Sequence, residues 1–180
     1  MRLRILTAFA ALAQSIAIGG ATPVGIGQPI AARSRVCDNA PSTVAGTMLH
    51  GVAANLKLHK RVKNILWCCE GTQTFITFAV THHIDPGPLW HILHDAYANL
   101  ISVIQEQGDG VMFGGSYNWP PGAPILRIMN ANNHQTSWGV MASAIYALAD
   151  WMHTESFFGG GTFNIYDGPN QVGTGTLVGI

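Results

Sequence analysis

Two segments of the chain carry apolar residues at the spacing of an α-helix. Between residues 86 and 107 they recur every three or four positions, with Asp85 suited to cap the start, Pro86 at the first position and Gly108 at the end. A second helix is predicted from about residue 135 to 154, and its buried residues are Trp138, Met141, Ala142, Ile145, Leu148, Ala149 and Met152.

Shorter runs of β-branched and aromatic residues predict strands. They lie at residues 74–81, 124–130, 162–166 and 171–178, with a short fifth candidate at 111–113. The last run contains Gly173, Gly175 and Gly179, which favour an edge or bulged strand. The order of elements predicts an α+β two-layer sandwich, with two helices packed on one face of a four- to five-stranded sheet.

The N-terminus has the pattern of a secretory signal peptide at residues 1–21. Basic residues are followed by an apolar stretch from Ile5 to Ile18 and then by small residues. Gln14 and Ser15 interrupt that stretch, which is shorter than the ~20 residues of a membrane-spanning helix. We therefore expect cleavage, secretion to the extracellular space and no transmembrane segment in the mature chain. The alternative is an N-terminal helix of a cytosolic domain.

Charge divides the rest of the chain into two parts. Residues 22–63 lack aromatic residues and hold six basic residues against one acid, whereas residues 64–180 hold Arg127 against eight acids. Lys60-Arg61 has the form of a dibasic processing site. We interpret residues 22–63 as a basic, flexible segment or pro-segment and residues 64–180 as a single α+β domain. The alternative is an uncut basic patch that packs against the acidic domain.

The three cysteines are too few to hold the fold together by themselves. Cys37 can bridge to Cys68 or to Cys69, and one thiol is left over. A bond between the adjacent Cys68 and Cys69 would form a strained ring. Either long-range pairing is compatible with an oxidising compartment.

The strongest candidate for chemistry is a cluster of histidines. Four of the eight histidines and two aspartates fall within 14 residues: His82, His83, Asp85, His91, His94 and Asp95. His91 and His94 share a helix face, and the end of the preceding strand lies near the first turn of that helix. Imidazole and carboxylate groups bind zinc or copper, so the four histidines are a candidate metal site. The alternative is a helix cap and exposed ion pairs.

A second candidate is an aromatic patch for a carbohydrate or protein partner. It comprises Tyr117 and Trp119, close to Phe113 in a Gly- and Pro-rich stretch. The alternative is that these rings anchor the loop. Basic residues are lacking beside them, and basic and acidic residues are equal at nine each, so nucleic acid is not an expected partner.

No catalytic residues are predicted, and enzymatic activity is left open. The acids are scattered through turns and helix surfaces, and no nucleophile motif is present. Cys68 or Cys69 with a histidine could imitate a thiol hydrolase, but adjacent cysteines in a secreted protein are more often oxidised. Apart from zinc or copper at the histidines, no cofactor is indicated.

The C-terminal part of the chain resembles small secreted fungal proteins of uncharacterised function. The residues that carry the resemblance lie in the last 50 or so, at 133–136, 138–140, 162–168 and 170–176. The order of helices and strands is also similar to the α/β-sandwich killer toxins and effectors of fungi. Those toxins are rich in disulfides and this domain is not, so none of their functional residues carries over.

Together these features predict a secreted effector-like or toxin-like protein that acts by binding an unknown protein or cell-surface partner. A secreted metal-dependent enzyme that uses the histidine cluster is one alternative. A structural protein associated with the cell wall is another.

Overall fold

The computed structural model describes residues 35–51, 64–122 and 125–179 of the chain. Within these residues the chain forms two helices, α1 (Pro86–Gln107) and α2 (Trp138–Glu155). It also forms eight strands: β1 (Val36–Cys37), β2 (Ala40–Val44), β3 (Ile65–Cys68), β4 (Thr74–His83), β5 (Ser116–Trp119), β6 (Leu126–Asn130), β7 (Gly159–Asp167) and β8 (Asn170–Leu177). The predicted α+β class is confirmed.

Helix α1 begins and ends where the sequence predicts. The Asp85 carboxylate accepts a hydrogen bond of 3.1 Å from the backbone nitrogen of Gly87, which satisfies a free donor of the first turn. Gly108 adopts a positive φ of 83° and ends the helix. None of the described helices is long and apolar enough to cross a membrane.

Helix α2 begins three residues later than predicted. Ahead of the helix, Asn132 and Asn133 both have positive φ angles and form a turn. Ser137 has the extended backbone that a cap requires, and its hydroxyl accepts a hydrogen bond from Val140.

A six-stranded antiparallel sheet forms the centre of the protein, in the order β3-β4-β7-β8-β6-β5. The prediction of four to five strands was therefore too low. It missed β3, a four-residue run next to the cysteine pair, and β5, which lies in a stretch that Gly and Pro marked as loop. Both are outer strands of the sheet, where short length is common.

Strand β8 lies in the middle of the sheet, between β7 and β6, so it is not an edge strand. The alternative prediction of a bulge agrees with its pairing to β7, where the register shifts between Ile165 and Tyr166. Its Gly175 pairs with Phe163 of β7, and a Cβ atom at Gly175 would collide with the Phe163 ring. The glycine therefore leaves space for an aromatic side chain that fills the core over a central strand.

The two faces of the sheet have different environments because side chains alternate along each strand. On one face, buried residues of the sheet and of both helices form the main core; those of the sheet include Ile76, Phe78, Leu126, Ile128, Phe163 and Ile165. Helix α2 packs against β3, β4 and β7, and α1 packs against α2.

A hairpin of β1 and β2 lies at the other face, next to β3. The Cys37–Cys68 disulfide joins it to the sheet, with 5.6 Å between the Cα atoms, and Cys69 remains a buried thiol. Residues 35–51 thus belong to the same compact unit as the downstream chain, and the fold does not start at the predicted boundary at residue 64. The predicted signal peptide and the Lys60-Arg61 pair lie outside the described residues.

Candidate binding site between the two helices

The structure does not bring the four predicted histidines together as a metal site. His82 and His83 lie at the end of β4, and His91 and His94 are exposed on α1. Among the residues that the structure describes, no three His, Cys, Asp or Glu side chains lie close enough to share a metal ion. The histidines at the strand end and those on the helix form no such group among the described residues, and zinc or copper binding stays a prediction.

Each histidine at the strand end has contacts of its own. The Nδ1 atom of His82 lies 2.9 Å from the hydroxyl of Thr81. The His83 ring packs against Phe157, with 5.5 Å between the ring centroids. On the helix, Nδ1 of His94 lies 3.8 Å from the Asp95 carboxylate, and both side chains are exposed. His82 and His83 are thus held by the strand, whereas His91 and His94 remain on the surface of the helix.

The predicted aromatic patch at Tyr117 and Trp119 is also not an exposed surface. Tyr117 is 9% exposed, and its hydroxyl lies 3.3 Å from the Ala96 carbonyl and 3.2 Å from the Asn99 side chain, so it anchors β5 to α1. Burial raises the pKa of Tyr117. Trp119 is half-buried and stacks on Tyr117. These rings therefore pack within the fold, and their contact with a partner stays a prediction.

Exposed aromatic side chains lie instead along a groove between α1 and α2, which we call the interhelical groove. Trp90 of α1 and Tyr146 of α2 are 39% and 45% exposed. The groove has two pockets of about 300 and 420 Å³, which meet at a contact between Tyr97 and Tyr146, with 6.0 Å between ring centroids. Ligand-binding pockets commonly have such volumes.

The first pocket combines apolar walls with one fixed carboxylate. Its lining residues are Trp90, Leu93, His94, Tyr97, Ile145, Tyr146, Ala149, Asp150 and His153. The indole nitrogen of Trp67, on β3, donates a hydrogen bond of 2.8 Å to Asp150. The Asp150 side chain is thus held in one orientation at the wall of the pocket.

The second pocket reaches a buried thiol. Its lining residues are Cys69, Glu70, Thr72, Tyr97, Ile101, Ile104, Gly139, Ala142, Ser143 and Tyr146. Burial raises the pKa of Cys69, and the negative charges of Asp150 and Glu70 raise it further. The thiolate is the reactive form of cysteine, so this thiol is a poor nucleophile at neutral pH.

The interhelical groove has an acidic character. Asp150 and Glu70 line it, and no lysine or arginine of the part of the chain that the structure describes lines either pocket. The described residues as a whole include nine acidic residues and two arginines. Among the described residues, the ionised side chains of the groove favour a cation over an anion.

Comparison with protein-family models, with curated proteins and with solved structures finds no match for this chain. The resemblance to small secreted fungal proteins accordingly stays a prediction. The function proposed below therefore rests on the geometry of the described residues.

The interhelical groove was not predicted from the sequence, because each helix was interpreted as having a single apolar face. Trp90, His94, Tyr97 and Ile101 recur at intervals of three or four on α1, beside the stripe that faces the core. That second stripe was a detectable pattern. The α2 residues that face this stripe could not be identified from the sequence, because the pairing of the two helices is a tertiary contact.

Proposed function

We propose that this protein is a secreted, effector-like or toxin-like protein that acts by binding, and that the interhelical groove is its binding surface. The observation that carries the proposal is the pair of partly exposed rings, Trp90 and Tyr146, in an apolar groove with a fixed carboxylate at Asp150. Trp and Tyr are enriched among residues that dominate binding energy at protein interfaces.

The occupant that fits this groove is a basic, amphipathic segment of a partner protein. Two pockets in a row along a helix pair suit apolar side chains on one face of an extended or helical segment. A lysine or arginine of that segment would meet Asp150 or Glu70, and the rings beside them attract a cation through their π faces. An acidic or wholly apolar segment would lack this complementarity.

Secretion is part of the proposal. The disulfide between Cys37 and Cys68 supports it, because such bonds persist in oxidising compartments. Expression of the full chain in a eukaryotic secretory host should release protein into the medium, with an N-terminus that lies beyond residue 21. Retention in cells with the first 21 residues attached would refute this part.

We also propose that the two helices form one layer over one face of the six-stranded sheet. In support, α1, α2 and inward-facing sheet residues belong to one buried cluster, and Tyr117 of β5 bonds to α1 directly.

The groove can be tested with two synthetic amphipathic peptides, one of leucine and lysine and one of leucine and glutamate, titrated calorimetrically into the secreted protein. We expect binding of the lysine peptide alone. Tyr146→Ala should weaken it by about tenfold or more. Asp150→Asn keeps an acceptor for Trp67 but removes the charge, and should weaken binding by about fivefold.

Glu106→Gln is the matched control, because it removes one exposed charge of α1 outside the groove. It should leave the lysine peptide's affinity unchanged. Equal affinity for both peptides, or equal losses in Asp150→Asn and Glu106→Gln, would contradict the proposal. A dimer that dissociates on Tyr146→Ala would show that a second copy of the chain occupies the groove, and would also overturn it.

A further inference from the structure

The face of the sheet that points away from the helices carries regular rows of polar side chains. Strand pairing aligns one row across four strands: Thr162, Thr176, Arg127 and Asn118. A parallel row two residues further along the strands contains the polar Asn164, Thr174 and Ser116, with the apolar Met129 between the last two. Adjacent strands lie about 4.8 Å apart, so each row is about 14 Å long. We call this surface the polar sheet face.

Arg127 is the centre of positive charge on this surface. It is exposed, and no acidic side chain of the described residues forms an ion pair with it. It lines a concave region of about 420 Å³ with Ser116, Asn118, Met129, Thr174 and Thr176, none of which is acidic. Most of the charged residues that the structure describes are acidic, so this concavity is a local site for an anion.

Hydrogen bonds within the sheet hold part of the polar sheet face in place. The Thr174 hydroxyl donates to the Phe163 carbonyl at 3.4 Å, and Gln171 donates to Asn164 at 3.1 Å. Asn164 in turn donates to the Thr77 hydroxyl at 3.4 Å. Side chains that are already ordered lose less entropy when a ligand binds.

These groups match the chemistry of an acidic sugar. The guanidinium of Arg127 can bind a carboxylate with two parallel hydrogen bonds. The hydroxyl and amide groups beside it both donate and accept, as the hydroxyl groups of a sugar ring do. Met129, which is 54% exposed, offers an apolar surface to the C–H groups of the ring.

We propose that the polar sheet face binds a linear carbohydrate that carries carboxylate groups, with Arg127 on one carboxylate and the two rows of polar residues along the sugar chain. This site is independent of the interhelical groove, because it lies on the opposite face of the sheet from the helices.

The test is calorimetric titration of the secreted protein with oligogalacturonate, a linear polymer of uronic acid. We expect binding that Arg127→Gln weakens by about tenfold or more and that Arg127→Lys restores in part. Arg35→Gln is the matched control, since it removes the other exposed arginine of the described residues. It should bind as the unaltered protein does.

Two further ligands separate a sugar site from a mere anion site. The methyl-esterified oligomer keeps the sugar but loses the charge, and should bind at least about tenfold more weakly if Arg127 needs a carboxylate. Dextran sulfate has charge but a different geometry, and it should also bind more weakly. Equal affinity for dextran sulfate, no binding of oligogalacturonate, or equal losses in Arg127→Gln and Arg35→Gln would each overturn the proposal.

Asp150→Asn distinguishes this site from the interhelical groove. It should leave the affinity for oligogalacturonate unchanged, because Asp150 is a groove residue on the helix side of the sheet. A loss of oligogalacturonate binding in this variant would place the sugar in the groove and refute the assignment to the polar sheet face.

Discussion

The side-chain amide of Asn39 pairs with the backbone of Cys68 as a neighbouring strand would. Its Nδ2 donates to the Cys68 carbonyl at 2.8 Å, and its Oδ1 accepts from the Cys68 nitrogen at 3.1 Å. Asp38 does the same for Leu66, with its backbone nitrogen at 2.8 Å and its carboxylate at 2.7 Å. Two consecutive residues thus satisfy the outer edge of β3, which would otherwise be open to another strand.

Replacement of Asn39 by alanine should destabilise the fold. The substitution leaves a buried donor and acceptor of Cys68 without partners, at a cost of about 1–3 kcal/mol in free energy of unfolding. Urea denaturation followed by circular dichroism measures the change. Ser42→Ala, at an exposed position of β2, is the control and should change the free energy by less than about 0.5 kcal/mol. Similar free energies of unfolding for the two variants would contradict the role of Asn39 as a partner of the Cys68 backbone.

The Cys37–Cys68 bond should be the only disulfide among the three cysteines. Cys69→Ser should keep it, whereas Cys68→Ser should lose it together with about 3–4 kcal/mol of stability, since the bonded residues are 31 positions apart. Intact mass before and after reduction checks the pairing.

A chain cut at one bond between residues 51 and 64 offers a second check. It should keep a single mass until the disulfide is reduced. Release of a fragment without reductant would show that Cys37 is not joined to Cys68.

Gly175→Ala should destabilise the sheet, because the added methyl group collides with the Phe163 ring. Overpacking of this kind costs about 1–3 kcal/mol. Gly110→Ala is the matched control, since a Cβ atom there meets no atom within 4 Å and its φ is not positive. Thermal unfolding should separate the two variants, and equal melting temperatures would show that Phe163 can move aside.

Stability should fall at alkaline pH. Burial raises the pKa of Tyr117 above 10.0 and that of Cys69 above 9.0, so the folded chain holds these protons to a higher pH than the unfolded chain. Their contribution is complete below about pH 9 and declines as the pH rises through the folded pKa values. Urea titrations at increasing pH should show a shallower decline for Tyr117→Phe. An unchanged slope would mean that Tyr117 ionises equally in both states.

Local sequence was sufficient to predict α1. Asp85, Pro86 and Gly108 act through atoms within a few residues of their own positions, and the apolar spacing between them has the helical period. The same holds for the turn between β7 and β8, where residues 167–170 join two paired strands. Such contacts are close in sequence, so the pattern is readable without the fold.

Strands β5 and β8 show where local patterns fail. Ser116–Trp119 is flanked by glycines and prolines that favour a loop, yet β6 supplies its hydrogen bonds. Gly173 and Gly175 favour an edge, yet β8 pairs with β7 and β6, and Phe163 from β7 takes the space beside Gly175. In both cases the deciding partner lies on a strand that the local pattern does not identify.

The sequence by itself determined the two helices, most of the long strands and the α+β class, because helix caps, turns and side-chain periods depend on near neighbours. Only the tertiary structure decided between Cys68 and Cys69 as partner of Cys37. Adjacent residues of an extended chain point to opposite faces, and the hairpin lies on the face of Cys68. The interhelical groove and the polar sheet face likewise exist only in the tertiary structure, because each is formed by elements that are distant in the sequence.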